Sequence, residues 1–532
     1  MDIAARRGGV FLTPLPFAKK ALEYIGKTLG KSWCQSDNYR LWDMAAGTGH
    51  LEHFLPKDFL QYCFLSTLEQ NDVQHLQKEF PAATVFRYDY LNDDVKKNAG
   101  VSVKLPNNLQ NDLANPEIQW IILVNPPYAT AQEAGLKGTS KEGVSDTNIR
   151  KQMHAEGLGE VSRELYVQFL YRIMNEFRNR KTLLGLFSPL KYLISTNYQK
   201  FRDNVFHAAF QSGFVFSSEN FGGTSKTKHF PVAFVLWDIF RQEKVTEQEI
   251  RLDILDHTAE RIGVKTVKPV HRSEFLSRWI TRPRSTKIFP PFSSALTIQS
   301  GNVDTRNRIA EGFLASLMCP GNELQNQLQT AFLSGPQASA GALSVTPDNF
   351  EQAVVVFAAR RIPKDTWINH VDQLLRPNRV PSARFVADCA VWGLFDSKNQ
   401  TVSLPSVPYQ GRVYRIVNHF FPFPLCPSCL CEKQTEHSFA ANWLAMQTLS
   451  AESLAVLDCA REIYRLYFSH FAGPHGAGWY QIQKALREAV LGLDLVAELK
   501  RQHDILREKI LPLLYDYGIL YTGQTNPNTQ KT

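Results

Sequence analysis

From residue 40 to about residue 240, short apolar runs alternate with helix-length segments. The runs at 40–44, 64–68, 84–88, 120–124, 182–187 and 232–237 predict strands, and the alternation predicts a doubly wound α/β sheet. Between Val124 and Glu164 the pattern gives way to a polar stretch with Gly135, Lys137, Gly138, Lys141 and Gly143. A loop of that length is usually functional or disordered.

After Arg241 the rhythm changes, with many prolines and basic residues and no second glycine-rich turn after a strand. The chain is therefore expected to divide into an α/β domain over 1–245, a mixed α+β module over 246–435 and a helical region over 436–532. Residues 390–394 and 401–404, flanking Ser397-Lys398-Asn399, predict a β-hairpin. Pro405, Pro408, Pro422, Pro424 and Pro427 then disfavour regular helix. Leu454, Leu457, Ile463, Tyr464 and Tyr467 keep a helical register up to Gly473-Pro474, and a second register runs from Leu486 to Leu506.

Composition sets the outer limits. A length of 532 residues with 44% hydrophobic, 21% charged and 11% aromatic residues excludes wholesale disorder and collagen-like or coiled-coil architecture. No stretch approaches the roughly 18 apolar residues of a membrane span. Arg6 and Arg7 are followed by no apolar region of the kind that directs export, so a cytoplasmic location is expected. The cysteines are mostly scattered, as free thiols would be. Cys426, Cys429 and Cys431, with His437, have some zinc character, yet the third spacing is tight and a second CxxC is missing, so no metal is assigned. A net charge of +8 suits a polyanionic partner without requiring one.

Three acidic residues close successive strands. The first, Asp43, opens Asp43-Met44-Ala45-Ala46-Gly47-Thr48-Gly49, where small residues let backbone approach a ligand and the glycines take conformations closed to larger residues. Such a turn, expected to start a helix, suits a nucleoside cofactor, although structural turns share the pattern. Glu69 ends the second strand, where a carboxylate accepts hydrogen bonds from ribose hydroxyls, and Asp89 ends the third, within reach of an adenine amine. Directly after the run at 120–124 stands Asn125-Pro126-Pro127-Tyr128. Its prolines fix the chain direction, so the Asn125 side-chain oxygen and the Pro126 carbonyl can both face a planar amino group. Tyr128 offers a ring on which a base stacks, a contact worth about 1–3 kcal/mol.

These motifs resemble those of the S-adenosylmethionine-dependent adenine-N6 DNA methyltransferases with the gamma order. In that family a Thr-Pro segment precedes the glycine turn, and Thr13-Pro14 stands there. The family's loop reads roughly Asp-Pro-Ala-Cys-Gly-Thr-Gly; Met44 and Ala46 depart from it, while the acid and the glycines remain. The resemblance implies that Thr13, Pro14, Asp43, Ala45, Gly47, Gly49, Glu69, Asp89 and Phe169 hold S-adenosyl-L-methionine, with Phe169 against its adenine. It further implies that Phe221 clamps a flipped-out base opposite Tyr128, and that Asn125 and Pro126 draw the target nitrogen toward tetrahedral geometry for direct methyl transfer. The resemblance covers about residues 8–240.

Double-stranded DNA is the expected partner, with an orphan or restriction-modification role. A subunit role in a multi-subunit defence complex, and action on RNA or a protein glutamine, remain alternatives. Sequence selection is expected from the middle module through Arg278, Arg282, Arg284, Lys287, Arg360, Arg361, Arg376, Arg379, Arg384, Arg412 and Arg415. The loop from Ala129 to Arg163 is expected to close over the target nucleotide.

Overall fold

Residue 120 begins a run of five buried residues in Gln119–Val124, as a strand covered on both faces requires. In the computed structural model, which describes residues 12–95, 104–128, 147–221, 229–284, 292–293, 297–298, 309–335, 341–409, 411–423, 438–473 and 476–521, this strand lies inside a nine-stranded sheet. The strands are β1 (Tyr39–Asp43), β2 (Cys63–Thr67), β3 (Thr84–Arg87), β4 (Gln119–Val124), β5 (Thr182–Pro189), β6 (Ala209–Ser217), β7 (Pro231–Asp238), β8 (Ile250–Leu255) and β9 (Arg261–Val267). Their spatial order is β3-β2-β1-β4-β5-β7-β6-β8-β9. The first five run parallel, and β7 inserts antiparallel between β5 and β6.

Side chains alternate across the sheet as the strand pleat demands. Trp42, Trp120, Ile122 and Val124 enter one core, and Leu41, Leu65, Ile121 and Leu123 enter the other. Each buried aliphatic or aromatic side chain stabilises the fold by about 1.5–3 kcal/mol relative to exposure. Helix α1 (Leu15–Leu29), begun by Pro14 and Pro16, lays Phe17, Ala21 and Ile25 on the second core at a four-residue spacing. Further helices are α2 (Gln70–Glu79), α3 (Asn107–Ala114), α4 (Asn148–Ala155) and α5 (Leu165–Phe177); almost all of α5 is buried. This is the expected α/β, Rossmann-like architecture.

Two local expectations fail. No helix follows the glycine turn: residues 44–55 form a succession of turns, and the next regular element is the 3-10 helix Lys57–Tyr62. Gly49, at φ +81°, and Pro56 bracket the segment, and each disfavours helix on its own side. The predicted closing loop is partly helical, since α4 and the 3-10 helix Gly159–Arg163 occupy its second half. Residues 129–146 of that loop, with Lys137 and Lys141, lie outside the described residues.

The chain forms two compact units. The first contains residues 1–272, and the segment Thr366–Asp372 returns to it. That return is anchored by Lys265 on β9, whose ammonium lies 2.5 and 2.7 Å from the Asp372 carboxylate oxygens with both side chains buried.

The second unit, residues 273–365 and 373–521, combines a small sheet with helices around one core. Its strands are Leu343–Val345, Ala315–Met318, Ala331–Leu333 and Asn399–Gln400, in that spatial order. The helices are α6 (Phe350–Arg361), α7 (Ala383–Phe395), α8 (Phe439–Ala445), α9 (Ala451–His470), α10 (Trp479–Glu488) and α11 (Leu493–Asp516), so the helical C-terminus is present. The predicted hairpin is not. Residues 390–394 belong to α7, capped by the Ser382 hydroxyl accepting from the Phe385 amide, and every residue from Phe385 to Phe395 is buried. A helix buried all round shows no amphipathic period, so its apolar run reads as a strand.

Two arginines expected to face DNA are instead engaged within the protein, Arg360 buried and Arg361 half-buried. Arg360 is 3% exposed and donates to Thr330 Oγ1 at 2.9 Å and to the Gly321 carbonyl at 3.1 Å. Arg361 forks onto Asp396 at 3.1 and 3.2 Å. Arg278, Arg282, Arg284, Arg384 and Arg412 are exposed; Lys287, Cys426, Cys429, Cys431 and His437 lie outside the described residues. Among the described residues, no helix is long and apolar enough to cross a membrane.

Candidate active site

The sheet reverses its winding between β1 and β4. From β1 the order proceeds to β2 and β3 on one side, and β4 lies on the other, paired in register Trp42↔Ile122. The carboxyl ends of two such strands flank the crevice in which open α/β sheets bind ligands. Asp43 ends β1, and Asn125-Pro126-Pro127-Tyr128 follows β4.

At the β1 tip, Asp43 is 1% exposed and its Oδ1 accepts from the Ala45 amide at 2.8 Å. The Ala46 amide donates to the Ser66 carbonyl on β2 at 3.0 Å, which folds the turn against its neighbour strand. Gly47 and Gly49 have φ of +53° and +81°. A side chain on Gly49 would overlap the Phe80 ring and Leu76, whereas one on Gly47 would meet nothing closer than the Ala45 carbonyl at 3.9 Å. Gly49 thus permits close packing, and Gly47 leaves an open face.

Glu52 was not foreseen from sequence. It is fully buried, and among the described residues neither of its carboxylate oxygens nor Asp43 Oδ2 has a hydrogen-bond partner as an acceptor. Burial pushes the Asp43 carboxyl up to about 7, against the lowering pull of the Ala45 amide and of Glu52. Burial and then the charge of Asp43 hold Glu52 well above the usual carboxylate range. A proton retained by the pair supplies the donor that two carboxylates lack.

At the β4 tip, Asn125 Nδ2 donates to Thr13 Oγ1 at 2.9 Å and Asn125 Oδ1 accepts from the Tyr128 hydroxyl at 2.7 Å. Burial raises the Tyr128 phenol well above its ordinary value, so it is a protonated donor. Thr13 is 2% exposed, and its carbonyl lies 2.8 Å from His50 Nδ1. A carbonyl only accepts, so His50 carries its proton on Nδ1. Thr13 thereby joins the glycine turn to the diproline corner.

The aromatic residues cluster nearby. Phe221, 4% exposed, meets Tyr128 edge to face, with centroids 6.2 Å apart at 81°. Tyr166, which the motifs did not nominate, also meets Tyr128 edge to face, with centroids 6.4 Å apart at 87°. Phe169 lies 5.3 Å from Tyr90, beside the tip of β3.

Its solved neighbours include restriction-modification enzymes. The type IIL restriction-modification enzyme MmeI in complex with DNA is 10% identical over 97% of this chain and 77% of its own, with a TM-score of 0.36. The DrdV–DNA complex is 15% identical over 60% of this chain, with a TM-score of 0.37. The type I restriction enzyme EcoKI M protein is 12% identical over 46% of this chain and 48% of its own, with a TM-score of 0.28. This chain spans 36% of the DrdV chain and 28% of the type IIG restriction endonuclease BpuSI. No family model matches the sequence, and no curated protein matches it. None of these likenesses assigns a residue of the site.

The remaining predicted residues are placed as follows. Glu69 is exposed and precedes α2. Asp89 is half-buried, and its carboxylate caps its own turn, accepting from the Leu91 amide at 3.0 Å and Asn92 Nδ2 at 2.8 Å. Pro14 leads into α1 and Ala45 is half-buried in the turn. Glu52 carried no signal that sets it apart within Leu51-Glu52-His53-Phe54-Leu55, whereas the adjacency of His50 to Gly49 was visible.

Proposed function

We propose that the chain is an S-adenosyl-L-methionine-dependent methyltransferase of DNA that acts on the N6 amine of adenine, as an orphan or restriction-modification enzyme. One observation carries this reading: a glycine turn closed by a buried acid and an amide-bearing diproline corner sit on adjacent strand tips, β1 and β4, where the winding reverses.

The turn fits a polar, cationic nucleoside. Thr48 Oγ1 is buried there with no partner among the described residues, and Gly47 leaves space over the backbone. When bound, the donor supplies an electrophilic methyl group. The chain's own residues do the rest. Asp43 and the turn hold and orient the donor, Asn125 Oδ1 accepts from the substrate amine, and the rings of Tyr128 and Phe221 take the base once it leaves the stack. The opening of a duplex step costs a few kcal/mol, which stacking on aromatic rings offsets. The edge-to-face arrangement of Tyr128 and Phe221 means that one ring turns to admit a planar base between them. The exposed arginines of the second unit, Arg278, Arg282, Arg284, Arg384 and Arg412, are the groups proposed to meet duplex phosphates and base edges.

The test is incubation with radiolabelled methyl donor and duplex DNA, followed by digestion to nucleosides. N6-methyladenine that disappears in Asn125→Ala supports the assignment; label confined to RNA or protein overturns it.

A further inference from the structure

The amide of Asn125 has two faces, and only its oxygen is of use to a substrate amine. Its orientation therefore has to be held by something other than the substrate. Among the described residues two hydroxyls touch it: Tyr128 donates to Oδ1 at 2.7 Å, and Thr13 Oγ1 accepts from Nδ2 at 2.9 Å. A phenol is a stronger acid than an aliphatic alcohol, so of these two hydroxyls Tyr128 is the better donor and Thr13 is left to accept. Thr13 itself has little freedom, because it is 2% exposed, its carbonyl accepts a hydrogen bond from His50 Nδ1 at 2.8 Å, and Pro14 starts α1 directly after it.

We propose that Thr13 is a positioning residue for the acceptor amide: by accepting a hydrogen bond from Nδ2 it keeps Asn125 Oδ1 turned to the side where Tyr128 sits and where the substrate amine donates. This rests on the methyltransferase reading, and it gives Thr13 a different task from the donor contact that the motif resemblance implies. His50 shares the task at one remove, since it fixes the Thr13 backbone to the glycine turn. The two halves of the site are thereby set in register before any ligand arrives.

Thr13→Val keeps the shape and removes the acceptor; Thr13→Ser restores it. At saturating donor, Thr13→Val is expected to lower kcat for methyl transfer to duplex DNA by about 10-fold or more, as for loss of a group that orients a reacting partner. Donor affinity by calorimetry is expected to stay within about threefold, and Thr13→Ser to recover most of kcat. Unchanged kcat, or a weakened donor affinity with kcat intact, overturns the proposal. Asparagine-labelled NMR gives a readout that needs no turnover: the Asn125 side-chain NH2 signals should shift and exchange faster in Thr13→Val and return in Thr13→Ser. Unaltered signals overturn the proposal even if the wild type proves inactive on DNA, a result that would itself count only against the methyltransferase reading.

Discussion

Glu52 is buried beside Asp43, so two carboxyl groups occupy one buried space at the tip of β1. Burial raises both, Asp43 to about 7, and the native state keeps protons that the unfolded chain releases near pH 4. The stabilisation linked to them is complete below that pH and is lost as pH rises through about 7. Each retained proton makes stability fall by about 1.4 kcal/mol per pH unit within the window. Glu52→Gln keeps a donor for Asp43 and removes one titration, so urea denaturation between pH 5 and 7 should show about half the wild-type slope. Parallel curves for the two proteins would refute the proton retained by Glu52.

The two glycines of the turn should respond differently to alanine. Gly49→Ala combines a φ of +81° with overlap on Phe80 and Leu76, and a loss of about 3 kcal/mol is expected. Gly47→Ala, at φ +53° in open space, should cost about 1 kcal/mol in stability and weaken donor binding by about 10-fold or more. Denaturant melts and calorimetry separate the two effects; equal stability losses would contradict the packing role given to Gly49.

Tyr128 presents both a ring and a hydroxyl. Tyr128→Phe removes the hydrogen bond to Asn125 while keeping the ring, and is expected to hold single-turnover methyl transfer within about threefold, since the substrate amine replaces that donor. Tyr128→Ala removes the stacking surface and should cost about 1–3 kcal/mol, or roughly 5- to 150-fold. If both variants lose the same activity, the ring is not the stacking platform.

Lys265 and Asp372 form the buried ion pair that fastens Thr366–Asp372 to the first unit. Lys265→Met strips Asp372 of its buried cation and should destabilise by about 3–5 kcal/mol in a urea melt. Pairing it with Asp372→Leu should recover much of that loss. A double variant as unstable as the single one would show that the pair's charges are not what matters.

The parts of the fold legible in the sequence were those whose pattern had one interpretation. β4 announced itself as an unbroken apolar run and β1 by the acid before its glycine turn, and their adjacency follows from the winding rule. β6 escaped notice because Gln211, Ser212 and Gly213 interrupt its apolar pattern. Gly213 is needed there because a side chain would overlap the Phe234 carbonyl and Leu252. Arg360 reads as a surface charge and is held inside by carbonyls and a hydroxyl of distant segments, which only the tertiary fold assembles. The same holds for the site: Asn125 and Tyr128 were legible as a motif, but Thr13's bond to Asn125, across 112 positions, was not.

Because Thr366–Asp372 belongs to the first unit while its flanks belong to the second, the first unit is not one uninterrupted stretch of the gene. A fragment ending at Arg272 would leave the Lys265 ammonium in an apolar interior without its counter-ion. Replacing the second unit would accordingly need two splice points, one on each side of that seven-residue visit, and a single cut would break the first unit.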